Sequence, residues 1–438
     1  MNTLYLLFLA TLAIQGNTDI RSLLALRDLD ETPAVIDLSE ARINEYTFPK
    51  PAHAGMSHFA ANTIPQYIFF RSPYQRIILP IGITTIENGA FSGAEITTVD
   101  IPEGVTTIGD YAFYGCTNLT SVSLPSTLRH IGTAAFAGCT SLPALDLSKT
   151  AVTDIPDRCF SGAEQLEFLR LPLKIESVGT QAFSGTGIKS LSLPNVTKLA
   201  PYALTDMPRL EQVILNKDAR YAEGTLMNNA SLSVVSGAPA NLPPLFAANC
   251  VILSPSGIIE NSSTLGEYAF ANSRADQLIL APSVNYIAKG TFSGTSALSI
   301  IYADALLSST PDIDPEAFQG VDPADITLHV AENHEEAWRM HPVWSLFNIS
   351  SETIVGVDTI TADTDSDGLD ITLAGNTLLI SASSPITSAS IFSIDGRLIT
   401  TLPDGSDYIE YPLDQIEDHI LIIQAATPNS QKTTKILK

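Results

Sequence analysis

Between residues 69 and 318 a Phe or Leu returns every 20 to 26 residues, at Phe69, Phe91, Phe113, Phe136, Phe160, Phe183, Leu204, Leu226, Phe246, Phe270, Phe292 and Phe318. A recurrence of that length predicts a solenoid, because a unit so short cannot bury its own apolar face and must stack on its neighbours. It also tilts function toward recognition, since stacked repeats offer an extended surface more readily than a closed catalytic cleft.

Two adjoining copies, IPEGVTTIGDYAFYGCTNLTSVSLP (101–125) and LPSTLRHIGTAAFAGCTSLPALDLS (124–148), show the internal design. Five residues before the phase residue stands an aliphatic side chain, as at Ile86, Ile108, Ile131, Ile155, Val178, Leu199, Leu265, Ile287 and Ile313. Gly follows the phase residue by two in most copies, from Gly93 to Gly185 and again at Gly294 and Gly320. An alternating stretch such as Leu119–Leu124 comes next, often closed by Pro. Alternation with Val and Leu inward predicts a short strand, and a Pro without an N–H ends it. The G-D-Y-A-F-x-G segment has room for one helical or 3-10 turn, from which Gly releases the chain. The expected architecture is a repeat solenoid of short parallel strands joined by helical or 3-10 turns.

The pattern I-G-x-x-A-F-x-G-C-x-x-L-x-x-V-x-L-P resembles leucine-rich repeats of the BspA-like type, which line a curved solenoid with a parallel sheet. The likeness is strongest over 81–194 and 263–303, whereas 205–250 keeps the phase but loses Gly and the aliphatic at minus five. That stretch is expected to form irregular coils, where flexibility or a local ligand niche would arise. The segment 326–350 contains both tryptophans, Trp338 and Trp344, and is similar to the family's usual terminal segment. A strand and short helix carrying Trp, Met340 and Phe347 would close the array there. Residues 17–68 are expected to hold the N-terminal cap, with 35–43 as a strand, and the solenoid with its C-terminal cap spans 69–350.

Residues 1–16 open with a short apolar run, MNTLYLLFLATLAI, whose length suits a secretory signal peptide and is too short to span a bilayer; a buried N-terminal strand or helix is the alternative. No other segment is long and apolar enough for a membrane span, so no transmembrane helix is expected in the mature chain.

Composition changes after the cap. Residues 351–377 read as an acidic linker. Residues 378–438 lose the repeat and alternate short strands with turns, including Asp395-Gly396 as a hairpin turn, which predicts a small all-β sandwich. The I-F-S-I-D-G-R-L-I core and the final K-T-T-K-I-L-K resemble the C-terminal sorting domain of the type IX secretion system. The penultimate strand departs from that family's usual L-x-x-G-I-Y-I-V, since Leu413 is followed by Asp-Gln-Ile-Glu-Asp-His-Ile-Leu. The resemblance implies export across an outer membrane; an ordinary β-sandwich appendage is the alternative.

Sites for chemistry are few. Asp363, Asp365, Asp367 and Asp370 are spaced as in a calcium loop, but position twelve is Ala374 where a bidentate Glu is needed, so a solvated acidic stretch is favoured over calcium. The chain lacks H-E-x-x-H, G-x-S-x-G and a phosphate-binding Gly loop, and its seven histidines are scattered. No cofactor and no enzymatic activity are expected. Cys116 and Cys139 share a slot in consecutive repeats, which leaves open either a disulfide or two buried thiols, while Cys159 and Cys250 fall in other slots. With 47 acidic and 23 basic residues, a net charge of −24 disfavours nucleic acid and anionic membranes as partners.

Recognition is therefore expected from side chains between the inward strand positions. These run Thr98/Asp100, Ser121/Ser123, Ala144/Asp146, Phe168/Arg170, Ser190/Ser192, Gln212/Ile214, Gln277/Ile279 and Ile300/Tyr302. Asp100, Asp146, Phe168, Arg170, Gln212 and Ile214 are the candidate contact residues, with Phe168, Arg170 and Ile214 the largest. BspA-like relatives are associated with adhesion, so the resemblance implies a secreted or outer-surface, adhesin-like protein that binds an extracellular protein or glycan. A surface scaffold with no dedicated ligand is the second reading.

Overall fold

The structure is a computed structural model that describes residues 11–26, 34–48, 58–250, 259, 262–303, 310–331, 334–351, 360–361, 369–374, 377–393, 398–402, 405–413, 416, 420–427 and 431–437. There are two compact units. One holds the repeats through Leu328 together with Ala337–Ile349; the other holds His329–Glu336 and the chain from Ser350 on.

Each regular repeat contributes two strands. Three-residue strands such as Thr98–Asp100 and Ser121–Ser123 pair in parallel, Val99 opposite Val122, and form a front sheet. Two-residue strands such as Thr107–Ile108 and His130–Ile131 pair likewise in a side sheet. The aliphatic residue at minus five is the inward residue of the side strand, and Ile86 and Ile108 are fully buried there.

The expected helical or 3-10 turn does not form on the third side of the coil. Alternate N–H groups bond in opposite senses. Tyr111, Phe113 and Gly115 donate to the Thr133, Ala135 and Ala137 carbonyls of the next coil at 2.9, 2.8 and 2.8 Å, whereas Ala112, Tyr114 and Cys116 close local turns onto Gly109, Tyr111 and Phe113. Two left-handed residues make this possible, Tyr111 (φ 55°) and Gly115 (φ 67°). A helix would keep every N–H for itself; reversing the handedness twice frees every second one to bind the neighbouring coil.

The Gly four residues before the phase residue has a separate cause. A Cβ on Gly132 would lie 2.3 Å from the Asp110 backbone nitrogen, and one on Gly179 would lie 2.5 Å from that of Asp157. The coils approach that closely because Asp110 Oδ1 accepts from Thr133 N–H and Asp157 Oδ1 from Thr180 N–H, both at 2.7 Å.

The phase residues form the core. Phe69, Phe91, Phe113, Phe136, Phe160 and Phe183 stack with successive centroids 5.3, 5.1, 5.3, 6.0 and 5.8 Å apart. A second run joins Phe270, Phe292 and Phe318 at 5.8 and 5.2 Å. Phe246, taken from spacing as a phase residue, is one position off. Its carbonyl accepts from Leu226 N–H, the role Ala112 plays for Phe91, and Ala247 donates to Ala269 as Phe113 does to Ala135. Ala247 is the true phase residue; Phe246 fills the adjoining slot edge-on to Tyr221 at 6.0 Å. The corrected phase puts buried Leu242 at minus five and Cys250 in the slot of Cys116 and Cys139.

Nor is 205–250 slack. Where Gly is missing, Asp206, Asn228, Asn249 and Asn272 take the left-handed position with φ of 54–63°, which Asn and Asp tolerate best among residues with a Cβ. Their side chains form a ladder, Asn228 to Asp206 at 2.9 Å, Asn249 to Asn228 and Asn272 to Asn249 at 2.8 Å. Fully buried Asn229 occupies the cysteine slot, donating to the Leu204 and Leu226 carbonyls at 2.8 and 2.7 Å and accepting from Met207 N–H at 2.8 Å.

All four cysteines are free and buried. The thiols of Cys116, Cys139 and Cys250 donate to the phase carbonyls of the preceding coil, those of Phe91, Phe113 and Leu226, at 3.0, 3.2 and 3.0 Å. Burial pushes Cys116 and Cys250 from 9.0 up to about 12, and raises Cys139 and Cys159 as well. A raised folded-state value means that the thiol's contribution to stability is whole below pH 9.0 and is lost as pH climbs toward the folded value, because only the unfolded chain then ionises. Each thiol should steepen that loss by about 1.4 kcal/mol per pH unit. Cys139→Ala is expected to be less stable than the parent at neutral pH, with a deficit that shrinks by about that amount per unit above pH 9 in urea unfolding. A deficit independent of pH would contradict it.

The C-terminal end of the array packs around tryptophan. Trp344 is fully buried, donates its indole N–H to the Pro311 carbonyl at 2.9 Å and packs on Trp338 and Phe347, whose ring also meets the last phase residue, Phe318. Met340, expected in this cap, instead points to solvent at 78% exposure. Helix Glu335–Met340 buries Trp338, and Met340 lies two residues further on, turned away from that face. At the other end, segment 35–43 forms two strands in different sheets. Val35–Asp37 lies between Thr11–Ala13 and Arg76–Ile78 in the front sheet, and Ala41–Ile43 pairs with Gly16–Thr18. Thr11–Ala13 thus forms a strand within the run read as a leader; residues 1–10 lie outside the described residues.

The second unit carries two antiparallel sheets. One orders Ile360–Thr361, Gln431–Leu437, Ile420–Ala426, Ser388–Ser393 and Leu398–Leu402; the other joins Asp370–Ala374, Thr377–Ser381 and Tyr408–Pro412. Leu378, Ile380 and Ile409 of the smaller sheet share one apolar core with Ile391, Leu421 and Ile423 of the larger. Asp370–Ala374 is a strand inside the stretch read as linker. Asp363, Asp365 and Asp367 of the calcium-like motif and the Asp395-Gly396 turn lie outside the described residues.

Candidate binding surface

The front sheet presents the residues that alternation assigns outward. Ser121, Ser123, Ala144, Asp146, Phe168, Arg170, Ser190, Ser192, Gln212 and Ile214 are exposed around buried or half-buried central residues. Register brings Ala144 opposite Phe168 and Asp146 opposite Arg170, then Ser190 opposite Gln212 and Ser192 opposite Ile214. Asp100, at the far end of the row, pairs with Arg76 at 3.6 Å, apart from the Phe168 cluster. The later rows Gln277/Ile279 and Ile300/Tyr302 are half-buried, so the outward side chains thin out toward the C-terminal coils.

Phe168 is 70% exposed, the most exposed aromatic ring among the described residues. Two grooves flank its strand. One, of about 660 Å³, runs from Val122 and Ala144–Asp146 across Phe168 and Arg170 to Lys189. The other, of about 510 Å³, runs from Arg170 past Pro172 and Leu173 to Ser190–Ser192 and Asn195. They sit where the front sheet is interrupted. Ala144–Asp146 and Phe168–Arg170 form an isolated pair, with no ladder to Ser121–Ser123 before or Ser190–Ser192 after. Arg170 and Leu169 line both grooves.

Asp146 is set by local hydrogen bonds more than by its partner. Ser148 donates to Oδ1 through its hydroxyl at 2.6 Å and its N–H at 2.8 Å, which holds the carboxyl below its usual range, with Arg170 and Lys149 adding smaller attractions. Arg170 is left 3.7 Å from Asp146 Oδ2 and 80% exposed, while Arg209 engages Glu167 at 2.9 Å across one intervening coil.

Three further residues at this surface are not assigned by sequence alternation. Val234 and Ser236 form the next row, opposite Gln212 and Ile214, with Val234 45% exposed. They follow Leu226, in a coil where Asn228 stands in place of Gly and Tyr221 in place of the aliphatic at minus five. Leu173, 85% exposed, follows the strand-closing Pro172, where alternation no longer assigns a face. Among the described residues no three His, Cys, Asp or Glu side chains gather as a metal site.

Stacked coils with a parallel front sheet, an inner ladder of phase residues and outward variable positions define a leucine-rich repeat solenoid. The chain belongs to the family described as BspA type leucine rich repeat region (6 copies), whose model matches residues 62–167, 147–240 and 246–332. No curated protein matches it. A leucine-rich repeat protein from Bacteroides ovatus shares the fold at 22% identity and a TM-score of 0.51, covering 73% of this chain and 83% of its own. More distant are a leucine rich cell surface protein from Faecalibacterium prausnitzii (20% identity, 53% and 88% coverage, TM-score 0.28) and the pneumococcal vaccine antigen PcpA (15%, 74% and 78%, TM-score 0.38). No helix among the described residues is long and apolar enough to cross a membrane.

Proposed function

We propose that this protein is a secreted or outer-surface, adhesin-like solenoid that binds an extracellular protein or glycan on its front sheet, around Phe168, Arg170, Gln212 and Ile214, without catalysis. The observation that carries the reading is the exposed Phe168 beside Arg170, flanked by two grooves at a break in the sheet. Aromatic and Arg side chains supply most of the binding energy at interfaces when a partner covers them. Across a panel of matrix proteins and glycans, saturable binding is expected to weaken by about tenfold or more in Phe168→Ala, a loss above 1.4 kcal/mol. A panel with no saturable binding would leave a scaffold without a dedicated ligand.

Export is assigned to the leader 1–16 and the tail 378–438, read as a sorting β-sandwich behind the acidic stretch 351–377. Two antiparallel sheets sharing one core support that reading of the tail. A leader removed after residue 16 would take the Thr11–Ala13 strand with it and leave Val35–Asp37 at the sheet edge. Truncation after residue 350 is expected to keep the protein inside the cell envelope; equal amounts of truncated and full chain at the surface, by accessibility to added protease, would refute the assignment.

A further inference from the structure

We infer that the partner segment received at Phe168–Arg170 is an acidic polypeptide, one that brings carboxylates and apolar side chains together. This rests on the front-sheet reading above and specifies the chemistry of its partner.

The first observation is the state of Arg170. Its side chain is 80% exposed, the residue lines both grooves, and its guanidinium meets Asp146 only at 3.7 Å. A tight charge-assisted pair closes to about 2.7–2.9 Å. Ser148 holds Asp146 Oδ1 at 2.6 and 2.8 Å, which fixes the carboxylate with Oδ2 still 3.7 Å from Arg170. The planar fork of Arg170 is therefore open to a second carboxylate, which it matches with two parallel hydrogen bonds.

The second is the distribution of charge. Within a chain of 23 basic and 47 acidic residues, the span 168–220 reverses the balance, with seven basic residues against four acidic. Of the two acids lining the larger groove, Glu167 is engaged by Arg209 at 2.9 Å and Asp146 by Ser148 and Arg170. Lys189 lines the same groove and Lys174 follows Leu173; neither has an ion pair among the described residues. A negative field over the rest of the molecule repels an acidic partner from every other approach and steers it to this stretch.

The third separates a polypeptide from an acidic polysaccharide. Phe168 and Leu173 are 70% and 85% exposed on either side of Arg170, and Ile214 and Val234 continue the apolar surface two and three rows on. Covering them favours apolar side chains, which a hydroxyl-rich uronate chain lacks.

The test uses the full chain and labelled short peptides of alternating Glu and Leu, their Gln–Leu and Lys–Leu counterparts, and alginate as a polyuronate competitor, read by fluorescence anisotropy. The Glu–Leu peptide is expected to bind saturably and to weaken at high salt. The Gln–Leu peptide should bind about tenfold less tightly or worse, and the Lys–Leu peptide not at the front sheet. Arg170→Glu should abolish Glu–Leu binding and Arg170→Gln weaken it, with unchanged thermal melting showing that both fold. Arg129→Glu, the same charge reversal outside that span and next to the side strand His130–Ile131, should leave it intact. Equal binding of Gln–Leu and Glu–Leu peptides, both weakened by Phe168→Ala, overturns the acidic inference and keeps the front-sheet reading. Glu–Leu binding that neither Arg170→Glu nor Phe168→Ala reduces overturns both. Absence of Glu–Leu binding, or displacement by alginate with Phe168→Ala silent, overturns the polypeptide assignment.

Discussion

Phe113→Ala is expected to lower the free energy of unfolding by about 3–5 kcal/mol. The ring is fully buried and stacks on both sides, 5.1 Å from Phe91 at an interplanar angle of 1° and 5.3 Å from Phe136 at 6°. Removing it leaves a cavity that its neighbours cannot easily close. The coils on either side are held at fixed spacing by the turn bonds from Phe91 to Ala112 and from Phe113 to Ala135, both 2.8 Å. Because a solenoid's stability is nearly a sum of repeats and their interfaces, one ring at the contact of three coils weakens two interfaces together. Chemical denaturation measures the loss; a change below about 1 kcal/mol would mean that the ladder relaxes and that the backbone alone sets the stacking.

Asn229→Ala should be nearly as damaging, by about 3–5 kcal/mol, although it removes only a small polar side chain. Its amide orientation follows from its surroundings, since only Nδ2 can face the two carbonyls of Leu204 and Leu226 while Oδ1 receives Met207 N–H. Without it, a buried donor is stranded and two coils lose the link that replaces the cysteine bond seen elsewhere. The neighbouring change Asn228→Gly is expected to cost less, about 1–2 kcal/mol, because Gly accepts the left-handed backbone and the two side-chain bonds lost, to Asp206 and from Asn249, are at most partly buried. Equal costs for the two would show that 205–250 is held by its exposed ladder instead of its buried amide.

The same coils show how far the sequence could be followed. The inward Phe residues and the outward front-sheet positions were legible because burial imposes a period that repeats many times over. The turn was not, because its left-handed residues range from Gly115 to Tyr111 and Ala134, and no residue type announces that conformation. Phe246 misled because the only aromatic side chain near the expected position was taken as the phase residue, while the hydrogen-bond register runs through Ala247. That one-residue error hid the slot of Cys250, and in the coil before it Asn228 in place of Gly and Tyr221 at minus five made ordered chain look decayed. At the candidate surface, Phe168 and Arg170 could be placed by alternation, but the break in the sheet beside them and the unsatisfied geometry of Arg170 are three-dimensional facts. Leu173 lay beyond the last alternating position, and Val234 inside the coil that looked decayed.

A division of labour follows. Phase residues, turn bonds and buried amide or thiol links hold the solenoid, and the exposed residues between them are free to recognise. Phe168→Ala tests it most directly, with stability and binding measured on the same sample. The account predicts an unfolding free energy within about 0.5 kcal/mol of the parent, as for an exposed residue, together with binding to the panel weakened about tenfold or more. A clear loss of stability, or full stability with binding unchanged, would contradict it.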